Sequence, residues 1–149
     1  MPDNKSLWND EQRSELCNRI KSLASDTQPL WGEMTVHEML AHIGDTFRLV
    51  LGEIEFAERD RFLDPKRVEQ ILSQGLPNRA VKGPVRPYST PLTSFQEDIH
   101  ATMELIARAL DDPTDISSPP HPLFGPLSRE QWGVFFHLHL DHHLKQFGI

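Results

Sequence analysis

Apolar residues recur along this chain at helical spacing in four separate stretches. The first spans about residues 9–24, where Leu16, Ile20, Leu23 and Ala24 follow the i, i+4, i+7, i+8 pattern of one buried face. The second spans about 36–51, with Met39, Leu40, Ile43, Phe47 and Val50 on one arc. The third spans about 95–110, with a stripe of Phe95, Ile99, Met103, Ile106 and Leu110. The fourth spans about 129–147 and carries Trp132, Phe135 and Phe136. Three of these stretches open on a capping box: Thr35 with Glu38, Ser94 with Glu97, and Ser128 with Gln131. Gly52 and Gly148 stand where the second and fourth helices should stop.

The joints differ in length. Residues 25–34 form a short connection. Residues 111–127 hold five prolines and read as a loop. Residues 52–93 form a long link; a short helix fits Asp64 to Ser73, and Gly75 to Pro91, with four prolines and two glycines, reads as irregular. The pattern contains no strand signal. It predicts an all-α fold: a four-helix bundle in one domain, residues 1–149, with a long crossover between helices two and three that lets those two run parallel. A link of that length can also serve as a lid over a site.

Composition narrows the partners. A chain of 149 residues can bury a core without staples. Its net charge is -7, with 22 acidic residues against 15 basic ones, and the basic residues are scattered. A nucleic-acid binder shows a basic face, so neither nucleic acid nor an anionic membrane surface is an expected partner. The single cysteine, Cys17, excludes an intrachain disulfide. The N-terminus lacks the apolar run of a signal peptide, and no stretch approaches the length of a membrane span. The expected location is cytoplasmic.

Eight histidines are many for this length, and the helical wheel separates them. In the run His137-Leu-His139-Leu-Asp-His142-His143-Leu-Lys-Gln146, His139 and His143 fall four apart on the most apolar stripe of helix four, with Gln146 on the same side. His42 lies toward the buried arc of helix two. His37 falls on the polar side with Ala41, Asp45 and Arg48 and is expected to be a solvated surface residue. His137 faces away from the stripe beside Asp141, and His142 lies at its margin. His100 sits at the edge of helix three, and His121 in a proline-rich surface turn. Cys17 reads as a small core residue. Burying imidazoles is costly unless their nitrogens find partners, and one metal ion can satisfy several at once. Three histidines from two helices would bind a metal and leave a coordination position open. The alternative is a set of polar core residues bonded to backbone or water. The spacing is not that of the metalloprotease helix, which needs Glu where this chain has Leu140.

The histidine of Met39-Leu-Ala-His42, followed by His139-Leu-Asp-His142-His143-Leu-Lys-Gln146, resembles the DinB/YfiT-like superfamily, whose late motif reads His-x-x-His-His-x-x-Gln. The segments Leu30-Trp31-Gly32-Glu33-Met34-Thr35 and Pro122 to Trp132 are similar to an uncharacterised subgroup of it. The resemblance implies a four-helix bundle with a divalent metal, commonly zinc or nickel, on His42, His139 and His143. It implies a thiol-dependent S-transferase, with a low-molecular-weight thiol as co-substrate, or a metal-dependent hydrolase. It also implies homodimers in many members. One departure stands out: Leu144-Lys145 replaces the usual Arg-Gly before the family's glutamine. The reading that follows is an enzyme acting on a small molecule, in which a thiol or water activated at the metal attacks an electrophile. Gln146 would orient a ligand or support the metal site. No carboxylate base is identifiable, since Glu38 and Asp141 fall on outward faces. A non-catalytic bundle that binds a metal and a small ligand is the alternative.

Overall fold

The computed structural model describes residues 5–54, 63–75, 94–111, 121 and 124–149. These contain five helices: α1 (Asp10–Lys21), α2 (Val36–Val50), α3 (Pro65–Gln74), α4 (Phe95–Asp111) and α5 (Arg129–Gln146). No strand occurs among the described residues. The expected all-α bundle is therefore present, and the short helix inside the long link is α3. Most of that link and of the 111–127 loop lies outside the described residues, so the expectations of an irregular 75–91 stretch, beyond Gly75 itself, and of a lid fall there.

Local chemistry starts each helix where the pattern placed it. Thr35 accepts from the Glu38 N–H while Glu38 accepts from the Thr35 N–H, both at 3.1 Å. Ser128 and Gln131 close the same box at 2.9 and 3.1 Å. The Ser94 and Glu97 pair forms it at the head of α4. Each satisfies two N–H groups that would otherwise lack partners and stabilises its helix by about 0.5–2 kcal/mol.

Contacts at the ends fix the topology. At the N-terminal ends of α2 and α4, His37 packs edge-on against Phe95. At their C-terminal ends, Arg108 pairs with Glu53. The two helices therefore run parallel, as the long crossover required. Leu7 donates to Gly133 while Arg19 pairs with Asp141, so α1 and α5 are parallel too. Across the bundle, His42 meets His143 while Phe47 stacks on Phe136, so α2 and α5 are antiparallel. The Phe47–Phe136 stack, with centroids 4.4 Å apart and planes 14° apart, sets the spacing of these two helices about one turn from the histidines. Trp132, Phe47 and Phe136 are the largest fully buried side chains.

Two helices are enclosed on more sides than one amphipathic stripe suggests. On α2, Ala41 and Asp45 are buried, although the wheel placed them on a polar side. The reason is α4, which packs against α2 in addition to α5, with Phe95 and Asp98 beside His37 one turn before Ala41. On α5, His137 faces away from the apolar stripe as the wheel placed it, yet is only 6% exposed. There α1 covers the second face, and the segment before it comes so close that a Cβ on Gly133 would lie 2.3 Å from the Trp8 ring.

Candidate metal centre

His139 is the centre of the site. Its Nε2 lies 2.9 Å from His42 Nε2 and 3.1 Å from His143 Nε2. The three form the metal-capable group of the described residues, with ligand atoms within 4.8 Å of one another. α2 supplies one ring and α5 two, and the antiparallel pairing of those helices brings them level. His139 and His143 are 8% and 9% exposed, and His42 is partly buried. Phe135, one turn earlier, stacks on His139 with planes 17° apart and holds that ring in place.

Burial pushes all three imidazoles below their ordinary titration range. His139 is held well below it, first by desolvation and then by the neighbouring histidines. His143 is pushed down to about 3, by burial first and by His42 next, with its bond to Gln146 partly opposing. Burial lowers His42 as well, offset in part by Asp45. All three are therefore neutral near pH 7, the state in which an imidazole nitrogen has a lone pair to give.

A neutral cluster has too few protons for its contacts. His143 Nδ1 lies 2.8 Å from Gln146 Oε1, an acceptor, so the His143 proton sits on Nδ1 and its Nε2 is a lone pair. His139 Nε2 then faces two ring nitrogens and has at most one proton to share between them. A cation among the three satisfies all the lone pairs together. Nitrogens bound to zinc at 2.0–2.1 Å in a tetrahedral arrangement are roughly 3.4 Å apart; the two separations from His139, 2.9 and 3.1 Å, are a few tenths of an ångström short of this, and all three lie within 4.8 Å. The donor set fits a divalent metal.

The other sequence candidates fall elsewhere. Gln146 is buried and holds His143 on one side and the Trp31 carbonyl on the other, at 3.0 Å. It therefore contacts a member of the cluster directly, on the Nδ1 side of His143. His37 is not a solvated surface residue: it is partly buried against Phe95, with Nδ1 3.7 Å from Asp98. It is nonetheless outside the cluster. His142 packs edge-on to Trp31 and His143. His100 is exposed beside Glu104. Asp141 pairs with Arg19 and Lys145, and Glu38 is spent on its cap. Cys17 is partly buried, and burial raises its thiol pKa, so it is a poor nucleophile.

His121 departs most from expectation. It is not in an open turn. It bridges to Gly125 and accepts from the Phe124 N–H at 3.0 Å. Its ring packs on Phe124, Phe135 and Trp132. It therefore lies behind Phe135, within electrostatic reach of His139. Only a tertiary contact could have placed it; the aromatic run that follows it was the available signal.

A helical bundle with three converging imidazoles defines a class: α-helical proteins with a histidine cluster that could hold a metal ion. The model of the DinB superfamily matches residues 9–147, and the chain belongs to that family. No curated protein and no solved structure matches it. No helix among the described residues is long and apolar enough to cross a membrane.

Proposed function

We propose that this protein is a metal-dependent enzyme of the thiol S-transferase type, acting on a small molecule, with one zinc or nickel ion held by His42, His139 and His143. The observation that carries the reading is the convergence of exactly three neutral imidazoles, with neither a carboxylate nor a thiol in the group among the described residues. Three protein ligands are the count that leaves a position for an exogenous group. A divalent ion at such a site lowers the pKa of a thiol or water that joins it.

The chain's own residues supply the rest. Phe135 and its neighbours Phe124 and Trp132 form an apolar wall on the His139 side, which keeps the local dielectric low. Gln146 holds His143 with its Nε2 lone pair turned toward the other two rings. Among the described residues the ligand group holds no carboxylate to serve as a general base. A thiol, with a reference pKa near 8.5, needs less help to ionise than water at 15.7, which favours the thiol over the hydrolytic alternative.

Cobalt substitution tests the choice. Added low-molecular-weight thiol should produce a sulfur-to-cobalt charge-transfer band, absent in His143→Ala. If oxygen ligands perturb the cobalt spectrum and thiols do not, water activation replaces thiol transfer. If neither class reaches the cobalt, the site is structural and the enzyme reading fails.

A further inference from the structure

Gln146 joins the site to a part of the chain that contributes no ligand. Its amide nitrogen is 3.0 Å from the Trp31 carbonyl, in the connection between α1 and α2. Its own backbone carbonyl accepts from the Leu30 N–H at 2.7 Å. The connection is thus tied to the last turn of α5 through both the main chain and the side chain of one residue.

The tie has a direction. A backbone carbonyl can only accept, so the NH2 end of the Gln146 amide must face Trp31. Its Oε1 must then face His143, and His143 must carry its proton on Nδ1. Reversing the amide would set oxygen against oxygen at Trp31. The Trp31 carbonyl therefore determines which nitrogen of a ligand histidine has the lone pair.

Gly32 makes the approach possible. A Cβ there would lie 2.9 Å from Gln146 Nε2, closer than real Cβ atoms sit, and its φ is +79°. An alanine would press on the amide at the atom that reaches Trp31. Gly52 offers a comparison, since it has a similar φ of +76° and no atom within 4 Å of a Cβ.

We propose that the Trp31–Gly32 connection is a positioning element of the metal site: it locks the Gln146 amide and through it the Nδ1–H tautomer of His143, so that metal affinity depends on how this connection is seated. The proposal rests on the metal reading above for its consequence, though not for its geometry. By reciprocity, metal binding and seating of the connection favour one another. Loss of an outer partner of a ligand histidine typically lowers metal affinity 10–100-fold.

The test has two independent readouts on the full chain. The first is long-range proton–nitrogen NMR of metal-free protein with 15N-labelled histidine. His143 should show a protonated Nδ1 and a bare Nε2, and Gly32→Ala should erode that preference while Gly52→Ala keeps it. A wild-type His143 with its proton on Nε2, or a Gly32→Ala spectrum unchanged from wild type, overturns the proposal whether or not the protein binds metal. The second is competitive zinc titration. Gly32→Ala should lose about 10-fold or more in affinity, Gly52→Ala should lose nothing, and Gly32→Ala should have no further effect in a Gln146→Ala background. Equal losses in both backgrounds would show that Gly32 acts through the fold and not through Gln146. If wild type binds no zinc but the tautomer behaves as stated, the metal reading fails and the clamp stands.

Discussion

Acid should destabilise the metal-free protein through its buried histidines, His143 among them. Its folded-state pKa is about 3, against an ordinary value of 6.5. A lowered pKa means that the unfolded chain takes up the proton first as pH falls, so stability is lost from about pH 6.5 downward and is complete above it. The unfolded state then gains about 2 kcal/mol from this one group by pH 5, two pH units below neutrality. At roughly 2–4 °C per kcal/mol for a domain of this size, that is a fall in Tm of about 4–8 °C. His42 and His139 shift in the same direction and add to the fall. The assay is thermal unfolding by circular dichroism, with a chelator, at pH 7 and pH 5. His143→Gln keeps a polar side chain but cannot titrate, so its fall should be smaller than the wild-type fall by about that 2 kcal/mol. Identical pH dependence in the two proteins would mean that His143 is not buried and neutral, and the argument for three available lone pairs would collapse with it.

Three further outcomes test other parts of the structure. Wild type supplied with zinc should bind one ion per chain and His139→Ala none, by elemental analysis of untagged protein; equal loading of both would remove His139 from the site. His37→Ala should load like wild type, because that residue lies against Phe95 and Asp98 outside the cluster. Phe136→Ala should cost about 3–5 kcal/mol in urea unfolding, since the ring is fully buried between Phe47 and Trp132, and a loss below about 1 kcal/mol would contradict that packing.

The helices and ligands were legible because they are local. Capping boxes act within four residues, and a pair at i, i+4 shares a face whatever surrounds it. His42 fell beside the buried arc for the same reason. What escaped the helical wheel was the number of neighbours. A wheel assumes one covered face, but α2 meets both α4 and α5, and α5 meets α1, α2 and α3. Hence Asp45, on the polar side of its wheel, and His137, opposite the apolar stripe of its own, are both buried. The place of His121 and the Trp31 partner of Gln146 were illegible for a different reason, although the support that Gln146 gives a ligand histidine was among the sequence expectations. Each depends on a partner from a loop, Phe124 in one case and Trp31 in the other, and no periodicity encodes such contacts.

The meeting of His42 with His139 spans 97 positions of sequence. Both long connections, 52–93 and 112–128, hang from inside that span. Closing a loop costs free energy that grows only with the logarithm of its length, about 0.6 kcal/mol for each doubling. Insertions or deletions in those connections therefore tax the meeting of the rings only slightly, while the antiparallel register of α2 and α5 keeps them level. Length is therefore the tolerant variable in both connections, whereas the buried side chains they carry, Val68, Ile71 and Leu72 in α3 and Phe124 beside Phe135, are held by the core and by the wall of the centre.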